Sequence, residues 1–464
     1  MIKKRILEQV EQLKASQPYL NGLVTLIDPS EQLNELLDKD TTLPLYGQGV
    51  ILKDNVSTKD ILTSASSRIL ENYVPVFDAT IVKKLKDAGA IILGKSTMDE
   101  LAMGGTGLTP ASGPTHNPYD IDRISGGSSS GSAAIAGANL VDFAIGSDTG
   151  DSVRKPAAYC GVVGVKPTYG RISRYGVIPY ASSLDHVGYF TQDVMQSAKL
   201  LEILAGRDDL DVTSANESVD NYSSIEGNLK NKRIGILMNV MDTIDDSLKA
   251  PFNDLIEKMK HDGVEIVEKR MNQELLDTLF ATYYVIANCE ATANHASLDG
   301  IRYGVRHEGK TLSETMKLSR EHGFGSLVKR RFVVGAYGLE DDNQQEVFRK
   351  AQRVRRLIVE DLKETLKDID ALMVLAAPDV APKFEDVKKR NYSIVADNHM
   401  VLCNFSGYPS MTVPFAFVDG MPIGVNLTSL AFEEKLMFDI ALGIEKLVEF
   451  NELRKERLPQ WLMK

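Results

Sequence analysis

Two runs carry the reading of this chain: Gly126-Gly127-Ser128-Ser129-Ser130-Gly131-Ser132 and Gly146-Ser147-Asp148-Thr149-Gly150-Asp151-Ser152-Val153-Arg154-Lys155-Pro156. Between them lie a small-residue stretch of helical character from Ser132 to Leu140 and a strand-like Val141 to Ile145, with Gly146 to Gly150 read as a turn. Loop, helix, strand and second loop in quick succession point to an α/β sheet whose loops carry the site. Glycine lets backbone N–H groups approach an anion closely, so the guest is either a phosphate or a tetrahedral oxyanion. No lysine follows at the G-x-x-x-x-G-K-[ST] position, which argues against a nucleotide loop. Gly127 to Gly131 also reads as G-x-S-x-G with Ser129 at its centre, but that elbow needs a buried strand directly before it. Asn117-Pro118-Tyr119-Asp120-Ile121-Asp122-Arg123 is polar and turn-like instead.

The same alternation continues outward. Ile2, Ile6, Leu7, Val10 and Leu13 predict an N-terminal helix, and Tyr46 to Leu52 a strand. Thr80 to Ala88 is helical, and Ala90-Ile91-Ile92-Leu93 reads as a buried strand ended by Gly94. The polar stretch Asp208 to Gly227 predicts a surface connection. Beyond it, Arg233–Met238 (strand), Asp246–His261 (helix), Val264–Val267 (strand) and Asp370–Leu375 (strand) form a second α/β region. From Glu433 onward Leu436, Ile440, Ile444, Leu447 and Val448 share one face, as in a docking helix.

With 464 residues, 43% hydrophobic and 25% charged, the composition is that of a soluble globular protein with a sizeable core. Lys and Arg number 53 against 64 Asp and Glu, and the net charge of −11 is the wrong sign for a broad phosphate-gripping face. Any nucleic-acid role is therefore expected to be local or delegated to a partner. Cys160, Cys289 and Cys403 are far apart with no C-x-x-C pair, which predicts neither a disulfide framework nor a zinc site and fits a reducing cytoplasm. The N-terminus develops no apolar signal region, and no run of 18 apolar residues occurs.

Lys53 in Val50-Ile51-Leu52-Lys53-Asp54-Asn55, the first glycine–serine loop, and Ser147 to Arg154 together resemble the amidase signature family, whose catalytic set is Ser-cis-Ser-Lys. The lysine and the two serines, Ser128 and Ser152, follow the family's order and spacing. The likeness extends through Gly94–Gly104, Gly164–Gly176, Ser182–Gly188, Asp299–Gly304 and Lys329–Arg331, where the text is most similar to the glutaminase subunits of tRNA-dependent amidotransferases. The resemblance implies an α/β amidase signature fold, a central mixed β-sheet covered by helices on both faces. It also implies a single domain over 1–464. That domain comprises an N-terminal helical segment (about 1–45), a catalytic core (about 46–205 and 400–464) and a substrate-side α/β insertion (about 228–400).

For the site, the resemblance implies Ser152 as nucleophile, Ser128 as bridging serine on a cis peptide and Lys53 as base. It places the oxyanion hole at the backbone of Thr149, Gly150 and Asp151, and substrate contacts at Ser129, Tyr283, Arg331 (α-carboxylate) and Asp397 (α-ammonium), with Arg330 as the neighbouring possibility for Arg331. No metal or cofactor is implied in this chain. ATP and Mg2+ belong to the whole complex, a heterotrimer with partner subunits B and C that takes glutamine and receives mischarged tRNA, Glu-tRNA(Gln) or Asp-tRNA(Asn), through the partner, with no membrane involved. The competing readings are a free-standing amidase on small amides and a catalytically weak scaffold.

Physical chemistry adds a condition and a question. Lys53 must be neutral to accept a proton, so it must be buried or near other cations. Asp151 and Ser130 stand where the family usually has glycine. Asp151 and Lys155 are spaced i, i+4 at a helix start, where they are expected to pair.

Overall fold

The computed structural model describes residues 2–387, 389 and 397–457. Ile394 to Ala396, which adjoin Asp397 in the sequence, lie outside the described residues.

Among the described residues eleven strands form one mixed sheet in the order β1-β3-β2-β4-β6-β5-β10-β11-β9-β7-β8. β1 is Leu23–Leu26, β2 Gly49–Lys53, β3 Ile91–Ser96, β4 Phe143–Asp148, β5 Val163–Lys166 and β6 His186–Thr191. β7 is Arg233–Leu237, β8 Glu265–Lys269, β9 Ala371–Leu375, β10 Ser410–Val418 and β11 Met421–Thr428. β2 pairs in parallel with both β3 and β4, so their carboxyl ends open on the same edge, where the loops of an α/β sheet present ligand sites. Antiparallel pairs then run from β4 through β6, β5, β10 and β11 to β9, and β7 lies parallel to both β8 and β9. The strands of the second α/β region therefore continue the first region's sheet.

Period-2 alternation distributes the central strands between two cores. Val50 and Leu52 of β2 and Phe143 and Ile145 of β4 enter one. Ile51 and Ala144 enter the other, with Ile6, Val10 and Leu13 of the first helix and Ala133, Ile135 and Ala136 of the helix Ser130–Gly137. Helices thus cover both faces. Lys53 falls on the Ile51 face, under the loop that opens Ser130–Gly137.

Most expected elements are present with shifted ends. The N-terminal helix spans Ile2–Leu20, and the helix Asp246–His261 is capped by the Asp245 side chain, which accepts from the Ser247 N–H. The N-terminal segment is also not wholly helical, because β1 interrupts it. Two glycines that read as punctuation are instead points of close approach. At Gly94 a Cβ would stand 2.4 Å from the Thr25 carbonyl oxygen, so glycine here admits β1 while β3 runs on to Ser96. At Gly146 a Cβ would meet Ser129 Oγ at 2.9 Å, and β4 runs on to Asp148.

Candidate active site

The glycine–serine loops take up the special backbone geometry that their composition permits. The first turns at Gly126, with φ +77°, and carries a cis peptide between Gly127 and Ser128. The Ser129 N–H donates to the Ser152 carbonyl oxygen at 3.1 Å, which stitches the two loops together.

Lys53, Ser128 and Ser129 are fully buried, and Ser152 is 3% exposed. Lys53 Nζ lies 2.8 Å from Ser128 Oγ, 2.9 Å from Ser129 Oγ, 2.9 Å from Ser147 Oγ and 3.1 Å from the Ser147 carbonyl oxygen. The Ser129 hydroxyl donates to the Ser147 carbonyl at 3.1 Å. Ser129 thus accepts from the lysine, and the Ser128 and Ser147 hydroxyls remain able to donate to a neutral Lys53 lone pair. Burial pushes the Lys53 ammonium down to about 7, against the pull of the Asp99, Asp148 and Asp185 carboxylates. The neutrality that the chemistry demands is thereby met near physiological pH.

Among the described residues, the backbone N–H groups of Thr149, Gly150, Asp151 and Ser152 donate to no protein acceptor. Four consecutive unspent donors beside a buried serine suit a developing oxyanion. Their loop is held from behind by Arg154. Its guanidinium donates to both Asp148 carboxylate oxygens at 2.9 and 3.1 Å, to the Gly150 carbonyl at 2.8 Å and to Asn404 Oδ1 at 2.7 Å. Burial pushes the Asp148 carboxyl up, but the charge and hydrogen bonds of Arg154 and the Val153 N–H outweigh it and hold Asp148 well below the usual carboxylate range. Thr149 Oγ1 donates to Asp185 at 2.8 Å, and Asp185 also accepts from the Tyr180 and Ala181 N–H groups.

A cavity of about 470 Å³ adjoins this loop, lined among others by Gly150, Asp151, Lys155, Tyr283, Arg331 and Asp397. Arg331 lies on the helix Ser326–Leu339, with its guanidinium hydrogen-bonded to the Tyr180 hydroxyl and its charge over the Tyr180 and Tyr284 rings. Arg330, one residue away, is exposed and is not among the lining residues. Tyr283 covers Gly150, where a Cβ would come 3.1 Å from its ring. Ser129, which the resemblance assigns to substrate, is not brought to the cavity wall; its hydroxyl is spent on Lys53 and Ser147. Asp151 turns its carboxylate to Lys155 at 2.7 Å, the i, i+4 pair expected from the sequence. Ser130 is buried, and its hydroxyl accepts from Thr115 at 3.0 Å.

Several supporting residues escape a reading of the motifs. Asp99 accepts from the N–H groups of Thr106, Gly107 and Thr109 and so holds the segment whose Gly104, Gly105 and Thr106 line the cavity. Glu100 accepts from the Gly325 N–H at 3.0 and 3.1 Å and so fixes the start of the helix that carries Arg331. Arg154, Asn404 and Asp185 act through backbone and side-chain bonds, many of them across long sequence distances for which local text gives no signal. Arg154 and Asp185 at least lie inside motifs of the family; Asn404 lies in none.

A buried lysine among three serine hydroxyls, next to free N–H groups and a polar cavity, suits amide hydrolysis, and comparison with known proteins gives the family. The Amidase family model matches residues 5–438. The chain is 39% identical over 431 residues to the A subunit of glutamyl-tRNA(Gln) amidotransferase from Persephonella marina, covering 92% of this chain and 88% of that one. It is 38% identical over 452 residues to the protein of the same name in Thermotoga maritima, covering 97% and 93%. The crystal structure of the Thermotoga maritima protein superposes with a TM-score of 0.80 at 34% identity, covering 96% of this chain and 92% of that one. A peptide amidase from Stenotrophomonas maltophilia superposes with a TM-score of 0.83 at 27% identity, covering 97% and 94%. The chain belongs to the amidase family.

Proposed function

We propose that this chain is the glutaminase subunit of a glutamyl-tRNA(Gln) amidotransferase, releasing ammonia from glutamine for a partner that converts Glu-tRNA(Gln) to Gln-tRNA(Gln). The observation that carries this reading is a buried lysine of lowered basicity touching Ser128, beside a cavity that holds Arg331 and Asp397. A simple amide needs neither charge, whereas the α-carboxylate of glutamine suits a guanidinium and its α-ammonium suits a carboxylate.

In the proposed reaction Ser152 Oγ attacks the carboxamide carbon. Its proton passes to Ser128 Oγ as the Ser128 proton passes to neutral Lys53. The carbonyl electrons collect on oxygen, where the N–H groups of Thr149, Gly150 and Asp151 receive them. As the tetrahedral centre collapses, the C–N bond breaks and the nitrogen takes the proton back along the same relay, leaving as ammonia. Water then attacks the Ser152 ester by the reverse path and glutamate departs. Asp151 contributes only its N–H, since its carboxylate is engaged by Lys155.

The partners of this reading are subunits B and C. Contact with the mischarged tRNA, ATP and Mg2+ belong to the partner's step, consistent with a net charge of −11 here. No helix among the described residues is long and apolar enough to cross a membrane. Cys160, Cys289 and Cys403 are buried free thiols, which supports a reducing cytoplasm. The decisive experiment copurifies the chain with its native neighbours and assays glutamine hydrolysis with and without mischarged tRNA. Ammonia release that ignores tRNA and accepts many amides overturns the reading.

Two further outcomes are expected. The kcat/KM for glutamine rises with pH through about 7 and levels above it, because only unprotonated Lys53 accepts the proton. A profile flat between about pH 6 and 8 contradicts Lys53 as base. Arg331→Ala raises KM for glutamine by about ten- to a hundredfold, the worth of a charged hydrogen bond, and Arg330→Ala changes it by less than about twofold. Equal effects at the two positions would remove Arg331 from the carboxylate.

A further inference from the structure

The cavity contains an ion triad whose central lysine, Lys155, has no role in the proposed reaction. Lys155, 9% exposed, donates to Asp151 Oδ2 at 2.7 Å, to the Asp397 carbonyl oxygen at 2.9 Å and to Asp397 Oδ1 at 3.1 Å. An ammonium has three hydrogens, and three acceptors from two segments surround this one. Burial would lower the Lys155 ammonium, but Asp151 and Asp397 outweigh it and raise it above the ordinary lysine range, so the charge persists at all working pH values. Lys155 belongs to the buried helix Arg154–Cys160, in the turn directly after Ser152. Asp397 is different in kind: its side chain is 47% exposed and it faces the cavity.

We infer that Lys155 is a positioning residue that sets selectivity for the substrate's α-ammonium group, by clamping Asp397 to the helix that follows the nucleophile. This rests on the glutaminase reading. Lys155 cannot itself attract the substrate carboxylate, because its hydrogens are spent. It grips Asp397 by main chain and side chain together, which fixes where the carboxylate stands relative to Ser152. Arg331 lines the same cavity. A zwitterion is thereby oriented by two opposite charges, one held by Tyr180 and one held by Lys155. Asp151, in turn, offsets the lysine, so that Asp397 remains the uncompensated negative charge of the triad.

The test compares glutamine with glutaramate, which keeps the amide and the carboxylate and lacks the α-ammonium. Binding is titrated by calorimetry on the Ser152→Ala complex, and kcat and KM are measured on the complex with Ser152 intact. Lys155→Met is expected to weaken glutamine by about tenfold or more while glutaramate changes by less than about twofold, with the loss in KM and little in kcat. Lys155→Arg recovers most of the glutamine affinity. Removing the lysine strands Asp151, so the paired variant Asp151→Gly/Lys155→Gln guards against misfolding: it regains thermal stability and retains the glutamine defect. Equal weakening of both ligands, or unchanged glutamine affinity, overturns the inference while leaving the glutaminase reading intact. Failure of the unmodified complex to bind or hydrolyse glutamine overturns both.

Discussion

Ser152→Ala is expected to abolish glutamine hydrolysis in the copurified complex, lowering kcat by about 10,000-fold or more while the complex still assembles and still binds glutamine. The size follows from the site's construction. Ser152 is held by its own carbonyl, which accepts from the Ser129 N–H at 3.1 Å, so the loop keeps its shape without the hydroxyl. The residue is 3% exposed, and removing one oxygen leaves only a small void. The Lys53–Ser128 contact does not involve the Ser152 hydroxyl and is expected to persist. Residual activity within about tenfold of the unmodified complex would mean that another group attacks the amide, and wholly unchanged activity would make this chain a scaffold for another catalyst. The measurement is ammonia release under saturating glutamine, with glutamine affinity as the control for folding.

The second large effect is on stability. Arg154→Leu is expected to lower the unfolding free energy by about 3–5 kcal/mol, because it removes one partner of a fully buried ion pair. Asp148 and Arg154 side chains are both 0% exposed, and the guanidinium also supports Gly150, Asn404 and Met400. With a domain's total stability of about 5–15 kcal/mol, the variant stands near the limit of folding. The pH sign is definite. Asp148 has a depressed pKa in the native state, so its contribution is present above the unfolded-state value and is lost as pH falls toward the native one. The Arg154→Leu variant lacks that contribution at neutral pH already. Adding Asp148→Asn to it removes the stranded charge and restores part of the loss. Urea unfolding of the three proteins decides the matter: a cost for Arg154→Leu below about 1 kcal/mol would show that the pair does not hold the loop that carries Ser152.

How much of this is legible in the sequence depends on the range of the interaction. The alternation of helix and strand around the two loops is local, and from it follow the α/β class, the helix Asp246–His261 and the positions of β2, β4, β7 and β9. The Lys53–Ser128 contact is legible through motif order, and the Asp151–Lys155 pair through helical spacing alone. β5, β6, β10 and β11 leave no such trace. β5 joins β10 from far away in sequence, and β10 and β11 form a hairpin about Asp419-Gly420, a turn signal that the helix–strand alternation does not capture. Glycine misleads in a consistent way. Gly94 and Gly146 look like strand ends because glycine usually breaks strands, whereas each makes room for a neighbouring backbone or side chain. The resemblance assigns Ser129 to substrate, whereas its hydroxyl is bonded to Lys53 and the Ser147 carbonyl. Arg331 and Arg330 cannot be told apart by text, since the difference between them is which face of one helix meets the cavity.

The sheet that joins the two α/β regions has a mechanical meaning. β9, β7 and β8 hang on β11 through a continuous ladder, and β11 on β10 and β5, so the half that bears Arg331 and the half that bears Ser152 share one beam. Such a beam resists opening by hinge motion. A substrate must then enter by rearrangement of side chains and short loops at the cavity rim, and a signal from a docked partner would have to travel as a small shift of those loops instead of a swing of one half against the other.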